Sequence, residues 1–262
     1  MSEYLLSTSG LTKQFGHHKA VNNVDLHVKK GAIYGFIGRN GAGKTTFLKM
    51  ISGLSKPTDG EIQMFGYRNE ELKNVRSRIS CLIEAPGIYG NMSAYHDLAI
   101  KCRLFGINDS KYIENILKIV GLSEVGKKKT KHFSLGMKQR LGIGLALVGE
   151  PDLLVLDEPI NGLDPQGIAE IRDMLLRLKE EQNMTIIISS HILEELSKIA
   201  THYGIIHNGS LIQELTREEL MTRCSERMEL TLDDPKAALP ILDQMGFTNY
   251  QVTDKSHIHI FE

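Results

Sequence analysis

The amino-acid sequence predicts an α/β fold with a parallel β-sheet at its core, on the basis of two patterns. Short runs of strand-forming residues alternate with longer segments of helical periodicity, as expected where helices connect parallel strands. Three of the short runs are compact and apolar, at residues 32–37, 153–156 and 185–189. Such runs are typical of strands that are covered on both faces. We therefore expect these three segments in the central sheet.

The segments between and after these strands carry helix and turn signals. Residues 87–149 have mostly helical periodicity and are expected to form a helical subdomain. Asp164-Pro165 predicts a helix N-cap followed by proline at the first helical position. Asn208-Gly209 separates two short strand-like runs, which is a strong signal for a two-residue hairpin turn.

The pattern changes near the end of the chain, which predicts a second, smaller domain. We expect a main domain at residues 1–225 and a small C-terminal α+β appendage at residues 226–262. The appendage is expected to have the order β-α-β-β, at residues 228–232, 233–245, 248–252 and 257–261.

The charges of the chain are nearly balanced, with 31 lysine and arginine residues against 32 aspartate and glutamate residues and a formal net charge of −1. This balance gives no electrostatic reason to expect a nucleic-acid partner. No apolar stretch approaches the roughly 18 residues that a membrane-spanning helix needs, and the first ten residues lack a signal-peptide pattern. Any role at a membrane is therefore expected to depend on partner subunits.

Residues 38–45 form the pattern G-x-x-x-x-G-K-S/T, directly after a predicted strand and before a helical segment. The glycines allow consecutive backbone N–H groups to converge on phosphate oxygens. Lys44 is expected to reach the β- and γ-phosphates of ATP, and the Thr45 hydroxyl is expected to bind Mg²⁺. The predicted nucleotide-binding residues of this loop are Gly38, Arg39, Asn40, Gly41, Ala42, Gly43, Lys44, Thr45 and Thr46.

Two carboxylates, Asp157 and Glu158, follow the apolar run at residues 153–156. A strand end beside the phosphate loop is where Asp157 is expected to join the Mg²⁺ shell and Glu158 to polarise the attacking water. His191 follows the next apolar strand, where its side chain can contact a γ-phosphate. These positions predict hydrolysis of ATP with Mg²⁺ as cofactor.

Residues 133–140, Phe-Ser-Leu-Gly-Met-Lys-Gln-Arg, resemble the signature motif of the ATP-binding cassette (ABC) family, which simple P-loop kinases and GTPases lack. The resemblance extends over about residues 5–215 and implies a P-loop cassette with a mixed sheet core and a helical subdomain. Ser134 is expected to cap a helix, so that its hydroxyl, the Gly136 N–H and the helix dipole form an anion site. The usual motif has glycine where Leu135 stands and glutamine where Met137 stands. Met137 is nevertheless predicted as a nucleotide contact.

The resemblance also implies partners and individual roles. In the family, the signature motif engages the γ-phosphate bound by the opposite subunit, so a second copy of this ATPase subunit is expected to close over the nucleotides as a homodimer. Phe15 resembles the aromatic residue that stacks on adenine, with Val21 packed nearby. Asp164 lies in a segment that resembles the loop linking the two sites. His191 resembles the switch histidine, and Glu158 resembles the catalytic carboxylate.

Glu84 is the most informative departure from the family pattern, since most members carry glutamine there. In the family, this loop joins the Mg²⁺ site to the surface that contacts the membrane subunits. The resemblance therefore implies that Glu84 is both a metal ligand and a catalytic residue. Glutamate followed by Gly87-Ile88-Tyr89 resembles the branch of bacitracin-resistance and lantibiotic-immunity exporters. This implies a peripheral protein on the cytoplasmic face of the cell membrane, bound to transmembrane permease subunits.

Other functions remain open on the sequence. The cargo of the exporter could be another drug, a lipid or a polysaccharide, because absent membrane subunits select it. A non-transport ABC ATPase acting on DNA or on ribosomes is the other alternative. The DNA-acting type inserts a long coiled coil between Lys44 and Ser134, for which this chain has too few residues, and the ribosomal type joins two cassettes where this chain has one. Intact Glu158 and His191 argue against a regulatory module that does not hydrolyse ATP.

Overall fold

The computed structural model describes residues 4–223, 227–254 and 256–261. The chain divides into two compact units, Met1–Leu215 and Thr216–Glu262. The domain boundary expected from the sequence, between residues 225 and 226, lies outside the described residues. The division by contacts comes earlier in the chain.

The strands and helices of the larger unit follow one another in mixed order. The strands are β1 (Tyr4–Phe15), β2 (His18–Lys29), β3 (Ile33–Ile37), β4 (Asp59–Met64), β5 (Tyr67–Arg68), β6 (Ile79–Leu82), β7 (Leu153–Asp157), β8 (Thr185–Ser190), β9 (His202–His207) and β10 (Ser210–Thr216). The α-helices are α1 (Lys44–Ile51), α2 (Ala94–Leu104), α3 (Ser110–Ile119), α4 (Leu135–Leu147), α5 (Pro165–Gln182) and α6 (Leu193–Ser197). Short 3-10 helices lie at Asn69–Arg78, Ser123–Val125 and Thr130–His132.

A six-stranded sheet with the order β10-β9-β3-β8-β7-β6 forms the centre of the larger unit. The pairs β3–β8, β3–β9, β7–β8 and β6–β7 are all parallel. Every residue of β7 and β8 is buried, as their apolar sequences predict. The α/β prediction is confirmed, and the three predicted strands are all in this sheet. Because parallel strands share a carboxyl edge, the segments after β3, β6, β7 and β8 emerge together.

A second sheet, with the order β2-β1-β4-β5, is antiparallel where its pairings are described. This antiparallel sheet was not among the elements expected from the sequence. Along β2, buried Val24, Leu26 and Val28 alternate with exposed Asp25 and His27. This period of two is typical of a sheet with one face on the core and the other in solvent. The alternation was therefore available in the sequence as a signal.

The N-terminal caps of two helices are as predicted. The Ser134 side chain accepts a hydrogen bond from the Met137 N–H (3.2 Å) at the start of α4. The Asp164 side chain accepts one from the Gly167 N–H (3.0 Å) at the start of α5. Such bonds satisfy backbone donors that have no partner within the helix.

Helices α2, α3 and α4 lie between β6 and β7 in the chain and contact one another. Two glycines allow α4 to approach its neighbours closely. A methyl group added at Gly142 would lie 2.6 Å from Cβ of Pro86, and one added at Gly144 would lie 3.3 Å from side-chain carbons of Ile116 and Val120. In the described part of the chain, no helix is long and apolar enough to cross a membrane.

The smaller unit contains α7 (Arg217–Arg223), β11 (Arg227–Thr231), α8 (Pro235–Gln244), β12 (Tyr250–Val252) and β13 (His257–Phe261). Its antiparallel sheet has the order β11-β13-β12. Leu242 of α8 packs with Ile258 and Ile260 of β13 to form a small core of its own. After α7, the elements follow the order β-α-β-β.

Candidate nucleotide-hydrolysis site

The loop at residues 38–45 connects β3 to α1 at the carboxyl edge of the central sheet. Gly41 and Gly43 have φ angles of 79° and 105°, which side-chain-bearing residues rarely adopt. Gly43 also lies against the carbonyl of Ala20, where there is no room for a Cβ atom. The Ala42 carbonyl accepts a hydrogen bond from the Gly209 N–H (2.9 Å). Contacts with neighbouring segments therefore hold the loop in place. Its backbone N–H groups directly precede the N-terminus of α1.

Lys44 is only 6% exposed, and its ammonium group is surrounded by oxygen atoms. Nζ donates to the carbonyls of Gly38 (2.6 Å) and Arg39 (3.2 Å) and lies 3.1 Å from Oε1 of Glu158. That carboxylate oxygen is buried and makes no hydrogen bond, so the charge of Lys44 is its main compensation. A phosphate that binds in the loop would offer Lys44 the same kind of charge as Glu158 does.

Asp157 stands at the end of β7 and is held by two hydroxyl groups. Thr45 Oγ1 donates to Oδ2 (2.6 Å), and Ser189 Oγ donates to Oδ1. Ser189 Oγ also accepts a hydrogen bond from the Glu158 N–H (2.9 Å). The sequence did not single out Ser189. Its role follows from the strand register, which pairs it with Asp157 across β7 and β8.

The residues at this edge fit a magnesium ion. Mg²⁺ prefers oxygen ligands and is usually held by one or two carboxylates together with substrate phosphates and water. The hydroxyl of Thr45 and the carboxylate of Asp157 already meet there. Within residues 4–223, 227–254 and 256–261, no group of three or more His, Cys, Asp or Glu side chains could hold a metal ion by itself. Bound nucleotide and water would add further oxygen ligands beside Thr45 and Asp157.

The Glu158 carboxylate bridges two predicted functional groups. Its Oε2 lies 2.9 Å from Nδ1 of His191, and its Oε1 faces Lys44. The Glu158 backbone has a φ of 48°, an uncommon value for glutamate that occurs often at functional sites. The structure thus brings together Lys44, Thr45, Asp157, Glu158 and His191 around one point.

Glu84 lies apart from that group. Its side chain is 66% exposed, its φ is 66°, and its Oε1 lies 2.6 Å from Nζ of Lys49 on α1. The structure places this carboxylate on Lys49 and not on the Thr45–Asp157 pair. The sequence did not single out Lys49, since the contact joins two segments that are distant in the chain.

The remaining predicted contacts lie on other segments of the chain. Phe15 is 55% exposed, with Nζ of Lys13 5.2 Å from its ring centre. Val21 is completely buried in the hydrophobic core, so its side chain can contribute to the site only through packing. Gly136 lies near Leu163, which precedes Asp164, so the signature segment adjoins the loop of its own chain.

A family model described as "ABC transporter" matches residues 21–161, more than half of the chain. The chain belongs to the ABC transporter family. The predicted family and cassette fold are confirmed, and the chain is a transport-coupled ATPase subunit that binds nucleotide.

Proteins similar to this ABC transporter ATPase have been named for antibiotic transport. It is 44% identical to the bacitracin transport ATP-binding protein BcrA of Bacillus licheniformis, over 98% of this chain and 85% of that one. It is 46% identical to BcrA of Enterococcus faecalis, over 96% and 81% of the two chains. The lantibiotic transport ATP-binding protein SrtF of Streptococcus pyogenes is 43% identical over 80% and 90%.

Solved structures of ABC transporter cassettes share the fold. The structure of cbiO1 from Clostridium perfringens, part of the ABC transporter complex cbiONQ, has a TM-score of 0.76 at 25% identity and covers 93% of this chain and 96% of that one. A nucleotide-free ATP-binding cassette from an ABC transporter has a TM-score of 0.74 at 27% identity, over 84% and 94% of the two chains.

Proposed function

We propose that this ABC transporter ATPase powers the export of a peptide antibiotic of the bacitracin or lantibiotic type, and that it does so as a homodimer bound to permease subunits on the cytoplasmic face of the cell membrane. The contact of Glu158 with both Lys44 and His191 carries the proposal for hydrolysis. The names of three relatives at 43–46% identity support the class of cargo.

The phosphate loop binds the triphosphate through its N–H groups and Lys44. Glu158, released from Lys44 by the incoming phosphate, accepts a hydrogen bond from water and takes its proton as the oxygen bonds to the γ-phosphorus. The bond to the β–γ bridging oxygen breaks, and ADP and phosphate leave. His191 contacts Oε2 of Glu158 and so orients the carboxylate in this step.

Thr45 and Asp157 are the residues proposed to hold Mg²⁺, and Ser189 keeps the Asp157 carboxylate in place through its hydroxyl group. Bound Mg²⁺ would neutralise charge on the β- and γ-phosphate oxygens. Glu84 is the third proposed ligand, and for that role its carboxylate must leave Lys49.

The second copy of the subunit supplies the signature segment. The N-terminus of α4 presents the Ser134 hydroxyl and the Gly136 N–H at the positive end of a helix. As the resemblance to the family's signature motif implies, we propose that they serve the γ-phosphate held by the other subunit. Asp164 adjoins this segment and would link the two sites.

A cleft beside the Glu84 loop is the surface we propose for the permease. Its volume is about 250 Å³, and its lining includes Pro86, Tyr89, Asp97 and Leu104. Tyr89 and Leu104 are 57% and 78% exposed. Exposed apolar residues that line a concave surface are typical of protein interaction sites.

Substitution of two residues tests the hydrolysis mechanism. Lys44→Ala should abolish productive ATP binding, since it removes the fixed positive charge at the phosphates. Glu158→Gln keeps the side-chain shape but cannot accept the proton, so the variant should bind ATP and accumulate as a closed dimer, measured by size-exclusion chromatography with ATP. Hydrolysis by Glu158→Gln at the wild-type rate would overturn the assignment.

The cargo is tested in cells that carry the complete transporter. Cells with the wild-type subunit should tolerate a bacitracin or lantibiotic peptide better than cells with Lys44→Ala. If cells with the wild-type subunit and cells with Lys44→Ala were equally sensitive to both peptide classes, the proposed cargo would be rejected and the ATPase assignment would remain.

A further inference from the structure

Two glutamates occupy equivalent positions at the carboxyl edge of the sheet. Leu82 of β6 pairs with Leu156 of β7, and Glu84 and Glu158 each stand two residues beyond that pair. Both have left-handed backbone conformations, with φ angles of 66° and 48°. Glutamate rarely adopts this conformation, which persists only where the surrounding structure enforces it.

Each glutamate is paired with a lysine of α1. Glu158 Oε1 lies 3.1 Å from Lys44, and Glu84 Oε1 lies 2.6 Å from Lys49. Lys49 is four residues after Thr45, so the two share one face of the helix, about 6 Å apart along its axis. The helix that carries the phosphate-binding groups therefore also holds the Glu84 loop.

Beyond Glu84, the loop is tied to the helices that line the cleft. Pro86 lies against Gly142 of α4. The Tyr89 N–H donates to Oδ1 of Asp97 (3.2 Å), and the Tyr89 carbonyl accepts a hydrogen bond from the Thr130 hydroxyl (2.9 Å). A displacement of Glu84 would consequently be transmitted to the lining of the cleft.

We propose that Lys49 is a positioning residue that couples nucleotide occupancy of the phosphate loop to the Glu84 loop. The proposal rests on the proposed nucleotide site. Phosphates at the start of α1 bring negative charge well within a Debye length of about 10 Å, where they compete with Glu84 for Lys49. Lys49 and Glu84 are 36% and 66% exposed, and such pairs are weak enough to exchange partners. Nucleotide binding thus loosens Glu84, and the cleft responds.

Hydrogen exchange on the full-length chain tests this coupling, with a non-hydrolysable ATP analogue as the probe. In the wild type, the analogue should slow exchange at residues 38–48 and speed exchange at residues 84–92 by about two- to five-fold, the range that an exposed ion pair can account for. In Lys49→Met, residues 38–48 should still be protected, but residues 84–92 should no longer respond. Lys49→Arg should restore the response.

The matched control is Lys73→Met, which removes the charge of another lysine, one that is exposed on the 3-10 helix Asn69–Arg78. It should respond as the wild type does. A full loop response in Lys49→Met would overturn the coupling role alone. No protection of residues 38–48 in the wild type would overturn the proposed nucleotide site, and this inference with it.

A charge exchange gives a second measurement. In Lys49→Glu the loop response should be lost, because two carboxylates then repel each other. Without nucleotide, exchange at residues 84–92 in the double variant Lys49→Glu/Glu84→Lys should return part of the way from the Lys49→Glu rate to the wild-type rate, since the attraction is restored with its direction reversed. Independent effects of the two substitutions on exchange at residues 84–92 would contradict a direct coupling between these side chains.

Discussion

The Asp97 carboxyl group is 2% exposed, and only one of its oxygens has a hydrogen-bond partner. Oδ1 accepts the Tyr89 N–H, whereas Oδ2 is buried without a partner. Burial therefore raises the pKa of Asp97 above its ordinary value of 3.8, against the lowering effects of the Tyr89 hydrogen bond and of His96. A raised pKa in the folded state means that this group favours folding below pH 3.8 and loses that contribution as pH rises through the folded pKa.

Asp97→Asn should therefore stabilise the protein at neutral pH. The amide oxygen can still accept the Tyr89 N–H, and no buried charge remains, so we expect a gain on the order of 1 kcal/mol. Thermal unfolding of both proteins between about pH 4 and pH 8 measures it. The gain should be largest at pH 8 and should diminish as the pH falls toward the ordinary pKa of 3.8. A variant less stable than the wild type at pH 8 would contradict this account.

At the level of single residues, the sequence predicts functional groups that follow a local pattern. Lys44 is recognised from the spacing of its own loop, and Asp157 and Glu158 from the apolar strand before them. Ser189 and Lys49 have no such pattern. Their contacts depend on strand register and on helix placement, which join segments far apart in the chain. A local motif cannot encode a contact of this kind.

At the level of secondary-structure elements, α4 connects the signature segment at its N-terminus with the Glu84 loop through a glycine. Gly142 leaves room for Pro86 and for both methyl groups of Leu82, which would be 3.2 Å from an added Cβ atom. Gly144 faces the ends of side chains on α3 and just beyond it, which can move more easily than a proline ring. The two glycines differ in how much extra volume their surroundings tolerate.

Gly142→Ala should consequently destabilise the protein more than Gly144→Ala. Alanine favours a helix over glycine by about 1 kcal/mol, but overpacking typically costs about 1–3 kcal/mol. At Gly142 the contact with Pro86 is too short for the gain to prevail, whereas at Gly144 the two effects should nearly cancel. Urea unfolding of both variants gives the comparison through their midpoints at constant slope. Equal midpoints would show that the loop containing Pro86 moves readily to accommodate the added methyl group.

The antiparallel sheet contains strands that were not predicted from the sequence. Apolar runs identified β3, β7 and β8 because strands buried on both faces need no polar residues. A strand with one solvent face, such as β2, is half polar and blends with the loops around it. The alternation at residues 24–28 was detectable, but only the completed fold shows that β2 pairs with β1 over most of its length.

At the level of the whole molecule, all predicted catalytic and nucleotide-binding residues lie in the unit Met1–Leu215. The smaller unit has its own sheet and its own core of Leu242, Ile258 and Ile260. We therefore propose that the smaller unit serves assembly or regulation and takes no part in the chemistry.

A chain that ends at Thr216, the last residue of β10, should therefore retain nucleotide affinity within a few-fold of the full-length protein. Fluorescence titration with a labelled ATP analogue measures the affinity, and circular dichroism verifies the fold. Lost affinity in a shortened chain with an intact circular dichroism spectrum would show that the smaller unit contributes to the site.

The contact between Lys44 and Glu158 has a consequence for how the site behaves before substrate arrives. Glu158, the proposed general base, is already paired with a buried cation and is not free to polarise water. In the proposed mechanism the incoming triphosphate replaces Glu158 as the counterion of Lys44, so recognition of the substrate and release of the base are one event. The proposed base is thus held back until a substrate is bound.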